Sequence, residues 1–264
     1  MCSHLFGFTV AFIATAGTVL SSTHPSTQTP NQPPSALQNV KTLVTLGDSI
    51  TQGGGAPGGY VWLMQKYLDV LYPQQGIKIV NAGISGHKST DMAARFQKDV
   101  LDPKPQLITI SVGVNDVWHG FYDFANRKPI PGGNGPNGVP LPLYRQKVEE
   151  MIVAGKSAGA KIAVLSTTII HEDLNSPENA RLIGYNKTLK ELAAKHGCLF
   201  IDLNTPFHEA IRAYQKHAGS AVNLLTSDGV HMNAAGNQLM AFTILRGLGV
   251  PEKQLNSVPA FARR

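Results

Sequence analysis

The sequence predicts an α/β domain in which a parallel five-stranded sheet carries helices on both faces, and three observations lead there. Five short apolar runs rich in β-branched residues recur along the chain, at Thr42 to Leu46, Ile77 to Val80, Leu107 to Val112, Lys161 to Thr167 and Cys198 to Leu203. Amphipathic, helix-length segments separate or follow them. The apolar runs lack strict alternation, as expected of strands covered on both sides, and regular strand–helix alternation favours parallel pairing through helical crossovers.

Each strand signal is four to seven residues of mainly Val, Ile, Leu and Thr and stops at a Gly or polar residue. The helical segments are Tyr60 to Leu71, Thr90 to Val100, Tyr144 to Ser157, Pro177 to His196 and Ala234 to Arg246. Ser176 ahead of Pro177 and Glu178, and Asn233 ahead of Ala234, are good start signals, because their side-chain oxygens can accept from unpaired first-turn N–H groups. One stretch breaks the rhythm. His119 to Pro142 is rich in Gly and Pro and reads as a long loop, of the kind that forms a lid or a binding wall.

The chain has 264 residues, 42% of them hydrophobic, which suits one sizeable domain. The first forty residues contain no Lys, Arg, Asp or Glu. The apolar run Leu5 to Leu20, followed by Ser21 and Ser22, predicts a signal peptide over residues 1–22 and a secreted or periplasmic protein. The run is short for a stable membrane span. Its lack of a basic flank leaves an uncleaved anchor as the alternative. A Ser/Thr/Pro/Gln-rich disordered linker is expected over 23–40, the folded domain over 41–250 and a tail over 251–264. The formal charge of +6 is spread from Lys41 to Arg264 without clusters, which argues against nucleic acid as a partner and leaves acidic polysaccharides or anionic surfaces open. With Cys2 in the leader and Cys198 in an apolar run, no disulfide framework exists, and Cys198 reads as a buried structural thiol.

Four segments carry candidate chemistry. Leu46-Gly47-Asp48-Ser49-Ile50 delivers a Ser at the carboxyl end of the first strand, where open α/β sheets bind ligands. A bland alternative is that Ser49 only caps the next helix. Asn81-Ala82-Gly83-Ile84-Ser85-Gly86-His87 offers a glycine N–H, from Gly86 or from Gly83. Val112-Gly113-Val114-Asn115-Asp116 offers an Asn amide, or a simple cap. Ser227-Asp228-Gly229-Val230-His231 places a carboxylate three residues before an imidazole, so that one turn can join them. Asp48 and Asp116 read as loop-holding residues. His87, His119 and His171 read as surface or cleft-lining positions, Trp62 reads as a core residue, and Trp118, close to Asn115, reads as core or as an acyl or sugar platform.

Taken together and in this order, the four segments resemble the SGNH (GDSL-type) hydrolases, over a span from Leu43 to Arg246. The resemblance implies a flavodoxin-like three-layer α/β/α sandwich with a central, mainly parallel five-stranded sheet. It also implies a serine esterase with Ser49, Asp228 and His231 as the catalytic set and an oxyanion hole of Ser49, Gly86 and Asn115. Gly86 is preferred to Gly83 because the family's glycine follows a Ser after the second strand. No metal or organic cofactor is implied. The expected substrates are short-acyl or O-acetyl esters of carbohydrates or other small molecules; lysophospholipase or thioesterase chemistry, or sugar binding without catalysis, are the alternatives. A dinucleotide site at Gly53-Gly54-Gly55-Ala56-Pro57-Gly58 is disfavoured, because the glycines come late after the strand and the second strand ends in Asn81 instead of an acid. Oligomeric state leaves no signature in the sequence.

Overall fold

The computed structural model describes residues 31–218 and 223–258. The expected leader lies outside the described residues, as do residues 23–30 of the expected linker. Seven strands are present in this span, β1 (Thr42–Gly47), β2 (Lys78–Gly83), β3 (Leu107–Ser111), β4 (Tyr122–Asp123), β5 (Lys128–Pro129), β6 (Lys161–Leu165) and β7 (Leu199–Ile201). The helices are α1 (Ser49–Gly54), α2 (Tyr60–Leu71), α3 (Ser89–Phe96), α4 (Val114–Phe121), α5 (Leu141–Ser157), α6 (Pro177–Lys195), α7 (Asn204–Ala218), α8 (Ala234–Gly247) and α9 (Glu252–Ser257).

The five expected strands form one sheet, ordered β2-β1-β3-β6-β7 and parallel at every pairing, with Leu43 opposite Ile79 on one side and Leu107 on the other. Central strands β1, β3 and β6 are buried almost throughout, whereas Lys78 and Asn81 on edge strand β2 are exposed. Val44, Leu46, Ile108 and Ile110 have no exposed surface, and each contributes about 1.5–3 kcal/mol by leaving water. Parallel neighbours require right-handed crossovers. These place α2 on one face, where it packs against α8, and α3, α5 and α6 on the other. The result is the three-layer sandwich expected of the flavodoxin-like order.

The structure departs from the sequence expectations at the margins. Residues 34–40 are not disordered linker: Leu37 donates its N–H to Pro34 O, and Leu37 and Val40 are fully buried. The expected tail contains α9, whose Leu255 is buried, as is Val258 just after it. α7 has no counterpart among the expected helices because it buries only Phe207 and Ile211, although this i, i+4 pair after Pro206 is its signal. α3 is prolonged by a π-helical turn, Gln97–Leu101. The loop expected from His119 begins later, since α4 runs to Phe121, and it contains the β4–β5 hairpin. Cys198 is half-buried, with burial raising its thiol pKa.

Candidate active site

Strand order reverses at β1, and the loops after β1, β2 and β3 open there on one rim. Asp48 is the N-cap of α1, accepting from Ile50 N–H at 2.9 Å, so Ser49 is the first helical residue and its hydroxyl is not spent on capping. That hydroxyl lies 2.9 Å from His231 Nε2. His231 Nδ1 lies 2.6 Å from Asp228 Oδ2. The spacing of three works because Asp228 Oδ1 also accepts the N–H groups of Val230 (3.0 Å) and His231 (2.8 Å), wrapping the turn around one carboxylate. Burial alone would raise the Asp228 carboxyl, but these bonds, led by that from the His231 ring, hold it below the usual carboxylate range. Gly229 completes the turn at φ +96°, and a Cβ there would meet His171 Nδ1 at 2.6 Å.

The other two loops meet each other, and the Gly86 loop is tied to the end of β1 by Ile84 N–H, which donates to Gly47 O at 3.1 Å. Asn115 is buried at the start of α4 and donates through Nδ2 to His87 O at 3.1 Å, which ties it to the residue after Gly86. Gly86 is exposed, in the left-handed region at φ +77°. Gly83 is engaged elsewhere, since its N–H donates to Asn81 Oδ1 at 2.9 Å, and a Cβ would collide with the backbone of α1, at 2.2 Å from Gln52 N.

Asp48 and Asp116 hold loops. Burial pushes the Asp48 carboxyl up to about 6 against the opposing Ile50 N–H. It pushes Asp116 up to about 7, against the hydroxyl and N–H of Ser89, which both donate to it and fasten α3 to α4. Sequence reasoning missed Arg95. Its guanidinium donates to Gly47 O (3.0 Å), Ala82 O (2.9 Å) and His87 Nδ1 (3.0 Å), joining the ends of β1 and β2 to the Gly86 loop. Its place in the last turn of an amphipathic helix gave no hint, because its partners are carbonyls brought together only by the sheet.

Trp118 lies edge-on to His171 and Phe124, with ring centroids at 6.1 and 5.0 Å, and Phe124 also meets His119 and Tyr122. This aromatic wall runs from the Gly229 turn to the β4–β5 hairpin. Trp62 lies elsewhere, on α2 beneath the Lys66 ammonium. The stretch behind the hairpin is pinned by α6: Arg181 donates to Gly132 O and Gly133 O, and the Tyr185 hydroxyl to Val139 O. Among the described residues, no His, Cys, Asp and Glu cluster suits a metal ion, and no helix is long and apolar enough to cross a membrane.

A hydroxyl, an imidazole and a carboxylate in line at the rim of a parallel sheet define the α/β serine hydrolase class. The model of the GDSL-like lipase/acylhydrolase family matches residues 45–239, and the chain belongs to that family. It is similar to an acetylxylan esterase of Geobacillus stearothermophilus, at 30% identity over 218 residues, covering 78% of this chain and 93% of that enzyme. It is 25% identical to esterase TesA of Pseudomonas aeruginosa over 203 residues, 72% of this chain and 79% of that one. Among solved structures, the acetyl xylan esterase AlAXEase superposes with a TM-score of 0.68 at 28% identity, covering 78% of this chain and 98% of that chain. The chain is thus an ester-bond hydrolase.

Proposed function

We propose that this esterase removes acetyl groups from carbohydrates, with Ser49 as nucleophile, His231 as general base and Asp228 as the group that orients and stabilises it. The observation that carries the reading is the unbroken line from Ser49 Oγ through His231 to Asp228, at 2.9 and 2.6 Å. A serine hydroxyl needs a base in contact to attack a carbonyl at neutral pH. His231 Nε2 takes the Oγ proton as the Oγ–acyl bond forms and returns it to the sugar oxygen as the ester C–O bond breaks. Water then gives a proton to the same nitrogen, attacks the acyl-enzyme and releases acetate, and Ser49 recovers its proton. Asp228 keeps Nδ1 protonated and the ring facing Ser49.

The tetrahedral oxygen receives the N–H groups of Ser49 and Gly86 and the Asn115 amide. The engagement of Gly83 N–H with Asn81 supports Gly86 for this role. Similarity to an acetylxylan esterase supports an acetylated sugar as substrate. So does the wall of Trp118, His171 and Phe124, since aromatic faces suit the apolar C–H faces of sugar rings. The charge-free first forty residues support export to the periplasm or beyond. The folded unit we assign spans 31–258, with 1–22 as the leader.

A series of p-nitrophenyl acetate, butyrate, octanoate and decanoate, run beside acetylated xylo-oligosaccharides, tests the substrate class. The acetyl esters are expected to turn over fastest and the oligosaccharides to release acetate. Rates that climb toward decanoate with no acetate released would overturn it.

A further inference from the structure

We propose that Glu172 is a positioning residue for the reaction, holding the loop that presents Asp228 and His231; the inference rests on the roles given above to those two residues. Glu172 lies in the segment between β6 and α6 and is only 5% exposed. Its carboxylate faces four donors. Oε1 accepts from the N–H of Leu225 (2.8 Å), the N–H of Thr226 (2.8 Å) and the Thr226 hydroxyl (2.7 Å), while Oε2 accepts from Leu224 N–H (2.7 Å). Four bonds thus converge on this one carboxylate, beside the three that Asn233 makes to the carbonyls of Leu224, Leu225 and Thr226.

The grip passes directly into the reacting turn. The Thr226 hydroxyl, while donating to Glu172, accepts from Gly229 N–H at 3.2 Å. Thr226 also bridges to Met232, and Ser227 N–H donates to His231 O at 2.8 Å, so the turn from Asp228 to His231 is closed at the base that Glu172 holds. Glu172 is itself fixed from behind. His171 adopts the left-handed region at φ +61° and donates its N–H to Gly229 O at 2.7 Å. Asn179 of α6, buried, donates to Ile170 O and Asp173 O, each at 2.8 Å, and accepts from Ile170 N–H. A non-glycine residue in that region is strained and persists only where the surroundings impose it. Here the surroundings form one path, from α6 through Asn179, His171 and Glu172 to the Gly229 turn. The hydrogen bonds of the His231 and Asp228 side chains run to each other, to their own turn and to Ser49, and the path from α6 sets where that turn stands.

The test compares Glu172→Ala, Glu172→Gln and Ser49→Ala on p-nitrophenyl acetate, with and without added sodium formate. Glu172→Ala leaves four donors facing an empty, carboxylate-sized space. A shift of the His231 ring by about 1 Å should lower kcat by about a hundred-fold while KM stays nearly unchanged. Formate should fill the space and restore part of the lost kcat, without accelerating the wild type. Glu172→Gln keeps an oxygen for Leu225 and Thr226 but sets its NH2 against Leu224 N–H, so it should lose less, and it serves alone if the Ala variant fails to fold. Wild-type kcat in a folded Glu172 variant, or a loss matched in KM and unmoved by formate, would overturn the proposal. If Ser49→Ala retained activity, the roles given to the triad would fall instead.

Discussion

The two halves of the site are built differently. On the oxyanion side, Asp48 and Asp116 are 3% and 2% exposed, and each is an acid held in the interior beside a loop that it fastens. On the base side, the Asp228 and His231 side chains are 51% and 41% exposed. The division follows from what each side must do. In the proposed mechanism the oxyanion donors act by standing still: burial fixes Asn115, and exposed Gly86 is held through its neighbour His87, whose carbonyl accepts from Asn115. In the same proposed mechanism the imidazole exchanges protons with substrate and water in every cycle, which an open position allows. Rigidity on that side comes from underneath, through the bonds that close the turn.

Replacing one group on each side probes this contrast, and the base side should show the larger effect. Asp228→Asn preserves shape but lets Nδ1 lose its proton, leaving His231 in the wrong tautomer; kcat should fall by about ten-thousand-fold. Asn115→Ala removes one of three donors and should cost about a hundred- to a thousand-fold in kcat. Steady-state kinetics on p-nitrophenyl acetate checks both, and a reversed order would mean that the buried side carries the larger share of catalysis.

A weaker consequence concerns stability. The folded-state pKa of Asp116, about 7, stands above the ordinary carboxylate value of 3.8, so between those pH values the folded chain holds a proton that the unfolded chain has released. Stability from this group is therefore greatest at low pH and declines as pH rises through about 7, where the buried acid ionises. Asp116→Asn stays neutral throughout and keeps an oxygen toward Ser89. Its Tm relative to wild type should rise from about pH 5 to about pH 8 in a thermal-melt series. A constant difference would show that Asp116 does not titrate in that range.

The same contrast explains what was legible in the sequence. β1, β3 and β6 stand out because burial on both faces demands unbroken apolar runs, and α2 because its apolar stripe repeats at helical spacing. Asp228 and His231 could be paired on spacing alone, since one turn spans them. The supports could not. Glu172 finds its four donors more than fifty residues further along, and Arg95 binds carbonyls whose proximity exists only once β1 and β2 have paired. Backbone partners carry no side-chain signature, so nothing in the local pattern marks either residue. The ends of the domain were misjudged for a related reason: Leu37, Val40 and Leu255 are single apolar residues in polar stretches, and only their burial shows that they belong to the core.

Catalysis on this scheme stands or falls with the Ser49 oxygen being made nucleophilic by the ring beside it. Treatment with a fluorophosphonate, followed by peptide mass mapping and an assay of residual esterase activity, reads that out at a single atom. One adduct is expected, on Ser49, with activity lost in step with labelling, and a Ser49→Ala variant should neither label nor turn over, its kcat lower by about a million-fold. An adduct on a different residue, or esterase activity surviving in Ser49→Ala, would refute the assignment.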